Sequence, residues 1–385
     1  MEMKIRVLIL AYHQSGLIPI FGQPAVVRLA GLAASLTDDV RVFLTEEIDK
    51  GLKGLPGGFP AAASWRVLAK GERLKVPRAL SSRPEEPLVV LKGHTVWDRR
   101  SLGAILASAR SDTEFLEDWG GILPEERWCA IIQKWLTEPE EASSPAPRLL
   151  PYLLGPGGRG GEEAEACLVA AQAEATRESD GVLTRLIDRR LSRKLSPLLA
   201  RRGVRPNWIT LMGTAIGLAG AWLLAQTPYG AHLAGALLFL VAVILDGVDG
   251  EVARLTLRET TFGHYLDIVT DNLVHVAIFI GLAVGLSRAT SDVTHLYALL
   301  FLLGGFGLCA LSVYHVLMKP SRPSPEDQAR AARWLAFLAN RDFAYLLLLL
   351  ALADRLAFFL WGAMIGTYLF AVSLWLLGRP SLKTP

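Results

Sequence analysis

Four aspartates, Asp246, Asp249, Asp267 and Asp271, stand inside stretches that otherwise read as membrane-spanning helices, in the run DGVDGEVARLTLRETTFGHYLDIVTD. A carboxylate at the centre of a spanning helix costs roughly 2.5–3.5 kcal/mol on insertion scales, so four are prohibitive without a compensating partner. Their spacing points to the partner. Asp246 and Asp249 are three apart and Asp267 and Asp271 four apart, so each pair shares one helical face. With the two helices as antiparallel neighbours, the oxygen ligands converge on one spot. Hard divalent cations such as Mg²⁺ or Mn²⁺ take that arrangement and commonly serve phosphate chemistry. Helix capping accounts for one aspartate per helix end, not for two spaced pairs.

Neighbouring residues fit the same chemistry. Gly250 and Ala253 let a flat or bulky ligand approach the helix backbone, Gly263 opens the second helix, and Arg254 suits a bidentate phosphate contact. The pattern Asp246-x2-Asp249-Gly250-x2-Ala253-Arg254-x8-Gly263-x3-Asp267-x3-Asp271 resembles, position for position, the signature of the CDP-alcohol phosphotransferase family, also called CDP-alcohol phosphatidyltransferases. The resemblance implies an integral membrane enzyme that uses two divalent ions, Mg²⁺ or Mn²⁺. Such an enzyme moves a phosphoalcohol group from a CDP-linked donor to an acceptor hydroxyl and releases CMP.

The resemblance also implies roles residue by residue. Asp246, Asp249, Asp267 and Asp271 become metal ligands, with Asp271 also the general base toward the hydroxyl. Asp246, Gly250, Ala253, Arg254 and Gly263 fall on the nucleotide side. Pro206-Asn207-Trp208-Ile209-Thr210 is similar to the family's entry to its first span and adds Asn207 and Thr210 there. Arg341-Asp342 resembles a recurrent pair at the acceptor site. Arg341, with Lys319 and Arg322 as further candidates, suits an anionic acceptor such as a polyol phosphate. A homodimer is implied as well, and Gly304, Gly305 and Gly307 are small enough for close helix contact. A cation transporter would instead need acids near the bilayer midplane on broken helices.

Apolar runs of spanning length begin only after residue 203, and six spans are expected: about 205–226, 231–252, 264–286, 295–318, 342–354 and 356–378. The fifth is short and merges with the sixth through Ala353-Asp354-Arg355. Arginines and lysines gather before the first span and between the fourth and fifth, whereas the loop around Gln226 to Gly230 carries no charge. Both termini and the carboxylate cluster are therefore expected on the cytoplasmic side of the cell (inner) membrane. Residues 178–203 form a basic amphipathic stretch, with Val182, Leu183, Leu186, Ile187, Leu191, Leu195 and Leu198 at helical spacing. It resembles the interfacial helix that lies on the lipid bilayer in the family.

The chain of 385 residues suggests two or three domains, and a net charge of +3 is too small to argue for a nucleic-acid partner. Cys129, Cys167 and Cys309 are odd in number and widely spaced, and read as reduced structural residues. MEMKIRVLILAY reads as a buried strand rather than a signal peptide.

Three regions follow: a cytoplasmic domain over 1–161, linker and interfacial helices over 162–203, and a transmembrane domain over 204–385. Residues 1–161 read as α/β, with KIRVLILAY, VRVFLTEE and PLVVLKG as strands and AVVRLAGLAASL as a helix. Alternation of this kind argues for a doubly wound sheet. The order resembles the sugar-phosphate nucleotidyltransferase fold, which bifunctional CDP-inositol-forming relatives carry fused to the membrane domain. Its chemistry is not repeated here. Ala11-Tyr12-His13-Gln14-Ser15-Gly16 replaces the glycine-rich basic loop that cradles a triphosphate, and His94 stands where a metal-binding aspartate belongs. A degenerate, non-catalytic domain is expected. The Pro-, Ser- and Gly-rich segment 138–161 reads as a linker or surface loop.

Overall fold

A computed structural model describes residues 5–53, 63–68, 88–109, 115–117, 120–123, 151–154, 160–176, 183–314 and 342–377. Cys129, Lys319, Arg322, Arg341 and most of the 138–161 segment lie outside the described residues. The chain divides into an α/β unit, residues 1–174 with 197–203 and 254–258, and a helical unit, residues 175–196, 204–253 and 259–385.

In the α/β unit, β1 (Arg6–Ala11) is buried along its whole length, as a continuous apolar run requires when strands flank it on both edges. It pairs in parallel with β2 (Asp39–Thr45), which pairs in parallel with β3 (Ser64–Leu68). On its other edge lies β4 (Leu88–Lys92), also parallel. The short strands β5 (Phe115–Glu117) and β6 (Gly120–Leu123) complete the sheet, antiparallel to each other and with β6 against β4. The order is β3-β2-β1-β4-β6-β5, so the sheet is rich in parallel pairs but mixed. Helices α1 (Ala25–Ala34), α2 (Glu46–Lys53) and α3 (Arg99–Ala109) punctuate the strands, and α4 (Gly161–Thr176) follows. Val26, Leu29, Ala30 and Ala33 of α1 join Val7, Ile9, Val42, Val89 and Leu91 in one core.

The turn Arg254–Arg258 belongs to this unit. Its backbone is held there by hydrogen bonds from Arg28 Nη1 to Leu255 O and from Gln23 Nε2 to Thr256 O, the latter at 3.2 Å. Leu257, at φ +53°, packs against the core just described.

The helical unit opens with a π-helical turn over Thr184–Asp188 that leads into α5 (Arg189–Arg201), whose residues from Pro197 on are counted with the α/β unit. Five longer helices follow: α6 (Pro206–Leu224), α7 (Tyr229–Leu255), α8 (Thr261–Thr290), α9 (Thr294–Val313) and, after the short α10 (Phe343–Leu352), α11 (Leu356–Leu377). Pro206 occupies the first turn of α6, where its missing N–H costs nothing. Thr260 caps α8, its hydroxyl accepting from Gly263 N at 2.9 Å. Trp222, Leu300, Phe358 and Leu369 point outward at about two-thirds exposure, which suits lipid rather than water. Phe239, Leu282, Leu302, Leu347 and Leu360 fill the interior.

Among the described residues, five helices are long and apolar enough to cross a membrane, against the six expected. The expected fifth span is a helix of ten residues, about 15 Å long at 1.5 Å per residue and half the thickness of the hydrocarbon core. It does not merge with the next helix. The chain turns through the left-handed region at Asp354, φ +53°, and Arg355 N bonds back to Leu350 O at 2.8 Å. This turn closes α10 as left-handed C-caps do.

Helices α6, α7 and α8 pack through small residues. A Cβ on Gly281 would lie 2.1 Å from Ala221 O, one on Gly285 2.0 Å from Leu224 O, and one on Gly220 2.9 Å from Gly235 O. The expected glycine stripe of α9 is spent partly inside the unit. A Cβ on Gly305 would meet Thr367 Oγ1 at 2.2 Å, whereas nothing lies within 4 Å of Gly307. Cys167 and Cys309 are free thiols, and Cys309 Sγ donates to Thr367 O at 3.1 Å.

Candidate metal and nucleotide site

The signature residues occupy the last turns of α7 and the first turns of α8. Carboxylate oxygens of Asp246, Asp249 and Asp267 lie within 4.8 Å of one another. Spacings of three and four residues put each pair on one face, and the turn between Leu255 and Thr261 brings the two faces together. Three anionic oxygens at that separation, from two helices, are a donor set suited to a hard divalent cation. Asp271 lines the same cavity, one turn further along α8, with Thr210, Asp246, Asp249 and Thr270.

Support for these carboxylates comes from α6. Thr210 Oγ1 donates to Asp249 Oδ2 while also reaching Pro206 O at 3.3 Å. Its hydroxyl therefore orients a carboxylate, the usual task of a residue behind a metal ligand. Asn207, one turn before, presses on Gly263. On Gly263 a Cβ would lie 3.0 Å from Thr260 Oγ1 and 3.2 Å from Asn207 Oδ1, so any larger residue there requires the cap or the amide to shift. Ala253 is half-buried on the same stretch, while Arg254 is exposed.

Two residues of this region were not anticipated. His275 lines the cavity one turn beyond Asp271, its ring edge-on to Phe239 at 5.8 Å and tilted on Phe343 at 5.4 Å. The signal was available, because 267, 271 and 275 continue one spacing of four. Glu251 is the second. It is 7% exposed, and Arg189, Ser192 and Ser196 surround its carboxylate.

At the expected acceptor site, only Asp342 of the Arg341-Asp342 pair is described, and it is occupied structurally. Asp342 accepts from Leu183 N at 3.2 Å, Thr184 N at 2.9 Å and Thr184 Oγ1 at 3.0 Å, closing the turn that leads into α5.

In the α/β unit, the two histidines singled out from the sequence come together at the ends of β1 and β4. Their ring centroids are 5.1 Å apart, and Tyr12 stands edge-on to His94 at 5.6 Å. Gly93 permits this closeness, since a Cβ there would lie 2.9 Å from Ala11 Cβ. His13 serves the backbone, its Nδ1 accepting from Ser15 N at 3.1 Å. Burial pushes the His94 pKa down to about 3, with His13 and Lys92 adding to the shift. A neutral, buried imidazole supplies neither the anionic ligand nor the cation that nucleotide chemistry at this switch point needs.

Residues 204–377 match the family model for CDP-alcohol phosphatidyltransferases. The chain is 34% identical over 122 residues to the bifunctional IPC transferase and DIPP synthase of Aquifex aeolicus, covering 32% of this chain and 27% of that one. It is 40% identical over 95 residues to the phosphatidylinositol phosphate synthase of Streptomyces avermitilis, covering 24% and 38%. The chain thus spans about a quarter of the length of the bifunctional relative. A crystal structure of the Mycobacterium tuberculosis phosphatidylinositol phosphate synthase aligns over 48% of this chain and 94% of that one, at 25% identity and a TM-score of 0.34.

Proposed function

We propose, from the premise that residues 204–377 are a CDP-alcohol phosphatidyltransferase domain, that this multi-pass membrane protein transfers a phosphoalcohol group from a CDP-linked donor to an acceptor hydroxyl. The observation that carries this reading is the convergence of Asp246, Asp249 and Asp267 within 4.8 Å, with Asp271 in the same cavity. Bound there, two Mg²⁺ or Mn²⁺ ions would neutralise charge on the donor pyrophosphate. Asp271 accepts the proton of the acceptor hydroxyl as its oxygen bonds to the β-phosphorus. The bond from that phosphorus to the bridging oxygen breaks, and CMP leaves with the electron pair. Thr210 holds Asp249 in place throughout. Gly250, Ala253, Arg254, Gly263 and Asn207 border the nucleotide, and Gly263 keeps the entrance to α8 narrow in side chain and open in backbone.

The donor belongs to the CDP-alcohols, either CDP-diacylglycerol or a polar one such as CDP-inositol. The acceptor is a hydroxyl compound, and Arg341, Lys319 and Arg322 favour an anionic one such as a polyol phosphate. Names of the bifunctional and phosphatidylinositol phosphate synthase relatives agree with an inositol-linked substrate on one side of the reaction. Unbroken helices through all four aspartates disfavour a transporter, which places its ion sites on interrupted spans. Metal-dependent CMP release from purified protein, screened across CDP-linked donors and hydroxyl acceptors, tests the assignment. CMP release unaffected by chelation would end it.

The site opens to the cytoplasm, the two termini lie on that side, and the enzyme works as a homodimer. In intact cells, a cysteine at Gln226 should label from outside and one at Glu259 only after permeabilisation. Crosslinking in membranes should trap a pair of chains, and a solely monomeric protein would refute the dimer.

A further inference from the structure

We propose, resting on the metal assignment above, that Glu251 is a positioning residue: it latches the back of α7 to α5 and so aims Asp246 and Asp249 at Asp267. Two residues along an α-helix correspond to about 200° of rotation, so Glu251 leaves α7 on the side away from Asp249. It is 7% exposed, and a buried carboxylate persists only when its oxygens are satisfied. Both are. Arg189 Nη1 donates to Oε1, Ser192 Oγ donates to Oε1 at 2.8 Å, and Ser196 Oγ donates to Oε2 at 2.6 Å. The three donors follow one another at spacings of three and four, one face of α5.

The rest of that helix shows why this contact does more than attach it. Leu191 and Leu198, on other faces of α5, are 47% and 44% exposed, an apolar surface sufficient to seat a helix at a bilayer. Its leading turn is fixed separately, by Asp342 on the amides of Leu183 and Thr184 and by Tyr345 Oη donating to Asp188. A charged, three-donor bond to the one helix that carries two of the converging carboxylates is not needed for either purpose. It is suited to fixing how far α7 is turned about its own axis. At about 5–6 Å from that axis, a rotation of ~15° moves a side-chain oxygen by roughly 1.5 Å, enough to spoil a ligand set that closes within 4.8 Å.

Mn²⁺ binding to the purified full-length protein, followed by the electron paramagnetic resonance signal of free Mn²⁺, tests the latch apart from turnover. Glu251→Ala should weaken Mn²⁺ binding by about 10-fold or more, the scale seen when residues behind metal ligands are removed. Glu251→Gln can still accept from Arg189 and Ser192 and can donate to Ser196. It should therefore stay within about 2-fold of wild type, a rescue that loss of charge alone would not permit. If Glu251→Ala does not fold, the double variant Ser192→Ala/Ser196→Ala keeps the ion pair and should weaken binding by about 3-fold. Wild-type affinity in a folded Glu251→Ala or in the double variant overturns the latch, as does a Glu251→Gln protein as weak as Glu251→Ala. Asp267→Asn separates the two ideas: if it too binds Mn²⁺ like wild type, the metal assignment itself falls.

Discussion

The two units differ in what they place at the mouths of their scaffolds. In the helical unit, Asp246, Asp249 and Asp271 line one cavity, Asp267 converges on the first two, and the residues behind them are oriented to match, Thr210 on Asp249 and Asn207 against Gly263. In the α/β unit, the parallel core β3-β2-β1-β4 is intact, yet the mouth between β1 and β4 holds two histidines and a tyrosine. A buried sheet needs only apolar residues at the right period, and many side chains satisfy that. A ligand set needs particular charges within a few tenths of an ångström. A fold therefore constrains its side chains less tightly than a site does.

The largest effect that would break this contrast lies in the helical unit. Asp267→Asn removes an anionic ligand while keeping its size, and CMP release should fall by at least ~10²-fold, as when a key electrostatic group is lost. Insertion and oligomeric state should be unchanged by size-exclusion chromatography. Activity near wild type would put the helical unit on the same footing as its partner.

Packing comes next. Gly281→Ala sets a methyl group against Ala221 O, a backbone atom that cannot swing aside. It should cost about 1–3 kcal/mol, as overpacked cores do, and lower the thermal midpoint in detergent. An unchanged midpoint would mean that α6 and α8 are looser than their contact indicates.

In the α/β unit, the sharper probe is pH. The His94 pKa of about 3 in the fold lies below its ordinary value of 6.5, so the folded state refuses a proton that the unfolded state binds. Stability is fully present above pH 6.5 and is lost as pH falls toward 3. The slope is about 1.4 kcal/mol per unit, so between pH 6.5 and 5 roughly 2 kcal/mol goes. Hydrogen exchange in the β4 peptide, corrected for intrinsic rates, should show that slope, and His94→Gln should flatten it. A slope that survives the substitution would assign the effect elsewhere.

The smallest effect expected is none. With Asp267→Asn as background, incubation with CTP and sugar or inositol phosphates should yield no CDP-alcohol. Any synthesis would show that the α/β unit has kept its chemistry after all.

Much of this was legible along the chain. The apolar run VLILA declared a central strand, and paired aspartates in apolar runs pointed to the carboxylate cluster. What stayed hidden depends on distant partners or on unusual backbone. Glu251 carries no signal of its own in the sequence, because its donors lie 55 to 62 residues earlier. The end of α10 and the start of α11 fall close to the expected 354 and 356, but the break between them was hidden because Asp354 adopts a left-handed turn that glycine would have signalled and aspartate does not. The pairing of His13 with His94 needed the parallel register of β1 and β4, in which Leu10 sits opposite Lys92.

The glycine contacts of α8 also set its mechanics. Gly281 and Gly285 lie against α6 at Ala221 and Leu224, whereas Asp267 sits fourteen residues earlier on the same uninterrupted helix, about 21 Å away along the axis. Those glycines clamp α8 at one end, and toward the carboxylates Gly263 beside Asn207 and Val274 beside Gly217 keep it against α6 as well, so α8 moves with α6 as one lever. A tilt of only a few degrees at the clamp becomes about 1 Å of travel at the site. Substitutions near Gly281 can therefore displace the carboxylates without touching them, and a bilayer whose thickness strains that end would reach the site through the same arm.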